Sequence, residues 1–230
     1  MSKITSIQWT RKRRYTILAI LFTIGVGIAF YEAETNFNWK NSKVWNFDSY
    51  QANTVPPNFA DSENDPTPGL WVVKTDESAP SPPNVLAKMP SNDSSGFHVQ
   101  IMPDSPNVDL EIVKVKFKIV SGQKSEAAGL ALRFQDKDHF FVLEADAMAN
   151  RISLCRQETP YLVCNYEVPV QISVGQWHTM TANVSPEGIG GYLDDKLLIR
   201  ANNEAYQTGE IGLYAKGDTE AYFDDLEVEY

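Results

Sequence analysis

Residues 111–120 read EIVKVKFKIV, and their alternation decides the fold class. Val113, Val115, Phe117 and Ile119 fall on one face, and Lys114, Lys116 and Lys118 on the other. A period of two sends successive side chains to opposite faces of a strand, so this stretch predicts a strand with one buried face and one solvated lysine face. The pattern continues downstream. AGLALRFQ (128–135) sets Leu130, Leu132 and Phe134 inward and Arg133 outward. HFFVLEADA, NRISLCR, YLVCNYEVPV, QWHTMTANV, GIGGYL, KLLIRA and GEIGLYA follow at hairpin spacing. LDDKLL carries a two-residue turn at Asp194-Asp195. Upstream, KVWNFDSY and LWVVKT read as strands separated by loops rich in Pro, Asn and Asp. No amphipathic helix is legible after residue 32. About a dozen short strands at this spacing predict an all-β antiparallel sandwich.

The N-terminus is different. RKRR (11–14) precedes an apolar, uncharged run from Tyr15 to Tyr31. Seventeen such residues reach the lower limit for a bilayer span, and tyrosines at both ends suit the interface. The expected organisation is a cytoplasmic basic segment (1–14), a transmembrane signal anchor (15–31), a tether (32–43) and a β-domain (44–230). The basic cluster should stay inside, which places the domain outside the cytoplasm, extracellular or periplasmic. A cleaved signal peptide fits less well, because Ala29, Tyr31 and Ala33 supply no small-x-small site.

Lys3 and residues 11–14 carry five positive charges before the first acid, Glu32, which leaves fifteen against thirty in the remainder. So acidic a domain excludes nucleic acid and anionic lipid surfaces as partners. The two cysteines, Cys155 and Cys164, flank a turn-like ETPY and face each other if their segments pair as a hairpin. Outside the cytoplasm a disulfide is then their natural state. The three histidines, His98, His139 and His178, show no metal-ligand spacing.

Several stretches taken together carry a resemblance: GLWVVKTDESAPSPPNVL, AAGLALRFQDKDHFFVLEADAMANRISLCR, VGQWHTMTANV, GYLDDKLL and GEIGLYAKGDTEAYFDDLEV. Over about residues 44–230 the chain resembles the concanavalin A-like jelly-roll domains related to family 16 glycoside hydrolases, and within them the 3-keto-disaccharide hydrolase-like group. The resemblance implies a jelly-roll β-sandwich. It implies less about activity, because that superfamily mixes lectins, structural modules and enzymes. Asp195 departs from the glycine common in that hairpin turn, which predicts a strained or lengthened tip.

Retaining enzymes of the family 16 type set carboxylates at alternate positions of one strand. Glu144 and Asp146 share a face here, but Met148 supplies no third acid, so the catalytic set is incomplete. Arg133 on the preceding strand is expected to pair with Glu144 and hold it ionised. Arg133, Glu144, Asp146 and Arg151 form the expected carbohydrate-binding groove, with Trp71, Trp177 and Tyr192 as stacking surface. In YFDDLEV, the expected closing strand, Asp224 shares a face with Leu226 and Val228 and should point to the core edge. Such a carboxylate must be hydrogen-bonded, paired or metal-bound. Two roles stay open: a hydrogen-bonded clasp, or a ligand of a structural calcium together with Asp48 or Asp218. Three functions follow. The first is a membrane-tethered carbohydrate-binding module with a glycan ligand. The second is a glycoside hydrolase of the 3-keto-disaccharide hydrolase type, and the third a non-catalytic structural subunit of an envelope complex.

Overall fold

The computed structural model describes residues 16–19, 31–34, 41–61, 70–92, 96–159, 161–202 and 205–230. Two compact units divide at residue 40. In the first, β1 (Thr16–Ala19) and β2 (Tyr31–Glu34) pair antiparallel, Thr16 opposite Glu34 and Ala19 opposite Tyr31. The remainder of the expected anchor, residues 15 and 20–30, lies outside the described residues, as does the basic segment 1–14. Among the described residues no helix is long and apolar enough to cross a membrane.

The second unit, Asn41–Tyr230, is all strand and turn in its described residues. It begins with β3 (Ser42–Trp45), β4 (Ala60–Asp61), β5 (Trp71–Thr75), β6 (Asn84–Lys88) and β7 (Phe97–Ile101). The long strands β8 (Glu111–Ser121), β9 (Ala127–Asp136), β10 (His139–Asp146), β11 (Arg151–Glu158) and β12 (Tyr161–Pro169) follow. The chain ends with β13 (His178–Ser185), β14 (Gly188–Leu193), β15 (Lys196–Asn202), β16 (Glu210–Lys216) and β17 (Glu220–Glu229). One sheet runs β12-β11-β10-β9-β16-β7-β4. The other runs β15-β14-β13-β8-β17-β6-β5, with β3 also paired to β17. Each adjacent pair is antiparallel.

The alternation in β8 holds. Val113, Val115, Phe117 and Ile119 are fully buried between the sheets, while Lys114 and Lys116 are half-buried on the outer face. Leu130 and Leu132 of β9, Leu143 of β10, Met180 of β13 and Phe223 of β17 meet them in one core. β17 closes the second sheet beside β3, Leu226 opposite Trp45, as the closing-strand reading requires.

Two places break the period, and both change a side chain's face. In β17 three steps along the chain, Asp224 to Glu227, lie opposite two in β8, Lys116 to Lys114, so one residue is extra. Asp225 has φ +47° there. Phe223 and Leu226 therefore both face the core, and Asp224 does not share their face. A bulge of this kind inserts one residue and re-aims its neighbours. The paired aspartates are that bulge. Asp224 is fully buried under the 76–83 loop, accepting from the Ser81 amide at 2.9 Å, its own neighbour's amide at 2.8 Å and the Ser81 hydroxyl at 3.2 Å. The second bulge lies in β9 at Arg133, whose φ is +51°. It turns Arg133 inward and carries Phe134 to the outer face, against the alternation expected from AGLALRFQ.

The β14–β15 turn keeps two residues, with Asp194 at φ +49° and Asp195 at φ +64°. Both are left-handed, so the departure from glycine is accommodated by strain rather than by length. Asp194 is held by its contacts to the Thr179 amide at 2.9 Å and to His178 at 2.8 Å. Asp195 is exposed. Asp195→Gly is therefore expected to raise the free energy of unfolding by about 0.5–1 kcal/mol, read from the urea midpoint, because relief of left-handed strain exceeds the added entropy of the unfolded chain.

Candidate functional site

The outer face of the β12–β4 sheet gathers the polar residues that the sequence set in a groove. Tyr214 (β16), Gly129 (β9), Glu144 (β10), Ser153 (β11) and Glu167 (β12) lie in register across five strands. One step along, Asp146 pairs with Arg151, and Lys216 shares the Tyr214 face by alternation. Gly129 bears no side chain between Tyr214 and Glu144. A Cβ there would lie 1.9 Å from the Leu143 carbonyl oxygen, so only glycine fits. The row thus has a floor of Glu144, Ser153 and Tyr214, each at most 1% exposed. The half-buried Arg151 and the exposed Glu167 form a rim, joined as an ion pair at 3.3 Å.

Four polar atoms on this face are buried without a hydrogen-bond partner: Glu144 Oε2, Tyr214 OH, Ser153 Oγ and Arg151 Nε. Buried polar groups are ordinarily paired, so such a group concentrated in one patch calls for an explanation. Burial raises the Glu144 carboxyl above its usual range, opposed by the Lys216 charge and the nearby Tyr214 hydroxyl. Burial and the Glu144 charge push the Tyr214 phenol well above its own. Asp146 has a second duty, accepting from the Ala149 amide at 2.8 Å in the β10–β11 turn.

Four residues expected in the groove or as its stacking surface lie elsewhere. Arg133 is fully buried on the inner side, where its bulge aims it at the carbonyls of Tyr206 (2.6 Å), Ser185 (2.8 Å) and Asp109 (3.3 Å). It does not pair with Glu144. Trp71 is 2% exposed and packs on Phe223 with ring centroids 5.8 Å apart, because the alternation of β5 turns Trp71 and Val73 to the core. Trp177 and Tyr192 are half-buried on the outer face of the opposite sheet, remote from Glu144 in the layering. Trp177 stacks there on the Lys118 ammonium at 4.9 Å, and Tyr192 accepts a hydrogen bond from Asn183 at 3.1 Å. Tyr214, Ser153 and Lys216 are site residues that the sequence reading missed. The same alternation in GLYAK and RISLC would have found them.

The carboxylates expected around a calcium are not gathered. Asp48 accepts from the Asn84 amide at 3.1 Å, and Asp224 faces Ser81. Asp218 collects the amides of Gln123, Lys124 and Ser125 at 2.9–3.2 Å together with the Ser125 hydroxyl. Desolvation works against its charge, yet these donors together hold the Asp218 carboxyl down at about 2. A cation requires converging oxygen ligands, whereas each of these carboxylates faces N–H donors. Among the described residues no three His, Cys, Asp or Glu side chains come together as a metal site. Cys155 and Cys164 do meet, directly opposite one another on β11 and β12 and joined as a disulfide with Cα atoms 3.9 Å apart.

Two antiparallel sheets stacked over one core make a jelly-roll β-sandwich. Solved structures share it. A carbohydrate-binding module, CBM66 from Bacillus subtilis, superposes with a TM-score of 0.56 at 18% identity, over 70% of this chain and 96% of that one. The cellulose-induced protein Cip1 gives 0.57 at 12% identity, over 81% and 96%. The β-glucanase of Bacillus licheniformis gives 0.54 at 11% identity, over 84% and 100%. No family model matches the chain, and neither does any curated protein.

Proposed function

We propose that the domain binds a glycan on the outer face of the β12–β4 sheet, held outside the cytoplasm by its N-terminal segment. The observation that carries this reading is the row of buried, unpartnered polar atoms around Glu144, Ser153 and Tyr214. Sugar hydroxyls both donate and accept, so they are suited to a carboxyl, a phenol and a hydroxyl that lack partners. The Arg151–Glu167 pair adds charged hydrogen-bonding groups at the rim. That a carbohydrate-binding module shares the fold supports the same reading. The basic cluster before the apolar run 15–31 supports an anchor with the domain outside. The disulfide supports an oxidising compartment. The test is binding of the full chain to an array of glycans. Glu144→Gln is expected to lower affinity at least about tenfold, the loss of one charged or buried hydrogen bond, with an unchanged circular dichroism spectrum.

A second reading is a hydrolase of the 3-keto-disaccharide type, and one observation favours it. Arg133 is turned away from Glu144, and burial raises the Glu144 carboxyl. A carboxyl raised by burial is suited to a general acid, with Asp146 on the same face as the second carboxylate. Turnover of a 3-keto-disaccharide that Glu144→Gln abolishes would favour this reading over binding alone.

A further inference from the structure

At the open edge of the sandwich, between β12 of one sheet and β15 of the other, lies a crevice of about 140 Å³. Its floor is apolar: Phe141, Leu154, Ile189 and Ala201 from the inner faces of both sheets. Its mouth is polar: Arg156, Asn165, Tyr166 and Asn202. A local irregularity builds the mouth. Leu154 pairs with Tyr166 and the next residue, Cys155, pairs with Cys164, so Asn165 is an extra residue in β12. The bulge falls beside the disulfide, which pins the register of β11 and β12 at that point. Bulges of this kind re-aim side chains at functional edges. The Arg156 Nε–H is enclosed here without a hydrogen-bond partner.

We propose that this crevice is a second carbohydrate site, separate from the Glu144 face, that takes one neutral sugar ring. A cavity of about 150 Å³ holds a benzene ring, so the crevice seats the ring of a single pyranose with its hydroxyls at the open mouth. An apolar floor under a few polar groups is the usual build of a small-ligand site. Asn165 and Asn202 each offer a donor and an acceptor, the pairing that vicinal hydroxyls require. Tyr166, exposed at the rim, offers a ring face to the C–H side of a sugar. Neutrality follows from two facts. The Arg156 guanidinium is already balanced by Glu158 at 2.6 Å, and the surrounding domain is strongly acidic and repels anions.

The probes are the methyl glycosides of glucose, galactose, mannose and xylose, each titrated separately into the ¹⁵N-labelled full chain. At least one is expected to give saturable shifts at the amides of Asn165, Tyr166 and Asn202. Asn165→Ala and Tyr166→Ala, both at exposed positions, are each expected to weaken that binding at least about tenfold, whereas Glu144→Gln leaves it unchanged. Three results would overturn the proposal: no saturable shift at these residues with any of the four glycosides, shifts that persist in both variants, or shifts confined to the Ser153 and Glu144 row. The last would leave the first site standing while removing the second.

Discussion

Arg133→Met is expected to destabilise the sandwich by about 3–5 kcal/mol, read from urea unfolding at pH 7. Arg133 is fully buried, and its guanidinium donates to the carbonyls of Tyr206, Ser185 and Asp109. Those carbonyls belong to the segment before β16, the end of β13 and the turn before β8, so one side chain ties three connections to the bulge of β9. Methionine fills much of the volume and donates nothing, which leaves three acceptors without their charged partner. A bonded charge of this kind contributes about 1.5–3 kcal/mol per hydrogen bond before compensation by water. The backbone adds to the constraint. A Cβ on Gly209 would lie 2.3 Å from the Arg133 carbonyl carbon, so the bulge has no room to relax toward that strand. A loss below about 1 kcal/mol would show that the carbonyls find water instead.

Glu111→Gln is expected to stabilise the domain by a few kcal/mol at pH 9 and to have a much smaller effect at pH 4. Glu111 opens β8 with no exposed surface, and neither carboxyl oxygen has a hydrogen-bond partner. Burial raises its carboxyl from 4.5 to about 8, against the opposing charge of Arg133. A raised value means that the folded chain holds the proton more tightly than the unfolded chain. The contribution to stability is therefore complete below 4.5 and is lost as pH rises toward 8. Above that pH the native state carries a buried carboxylate. Glutamine has no charge to bury, so the variant's unfolding free energy should lack this decline. Asp224, raised by burial to about 6, slopes in the same direction in both proteins and cancels in the difference. Equal loss of stability in variant and parent between pH 5 and pH 9 would contradict the assignment.

The strands that were legible in the sequence are those with one wet face. β8 shows lysines alternating with valines, and β17 and β13 show similar contrast, so the period of two is visible. β6 and β7 were not legible as strands. NVLAK is buried along its whole length between β17 and β5, which erases the alternation, and prolines crowd its start. FHVQI buries His98 and Gln100 on the inner face, where an apolar residue would be expected. The site was legible in part. Glu144, Asp146 and Arg151 follow from strict alternation in β10 and β11, and they do share one face. Arg133 and Asp224 sit at bulges, and a single extra residue moves every following side chain to the other face. Nothing in AGLALRFQ or YFDDLEV marks that insertion except the bulged residues' left-handed φ, which only the folded chain reveals. Trp71 was lost to a different cause: a tryptophan beside valines is as good a core residue as a sugar platform, and Phe223 across the sheet decides for the core.

The most direct test of the account compares glycan-array binding by the full chain, by Glu144→Gln and by Trp177→Ala. The first variant removes a carboxyl from the outer face of the β12–β4 sheet, and the second removes a large aromatic stacked on Lys118 on the opposite sheet. The account predicts specific binding by the parent, loss in Glu144→Gln and retention in Trp177→Ala. Loss in Trp177→Ala with retention in Glu144→Gln, or no glycan bound by the parent chain, would contradict it.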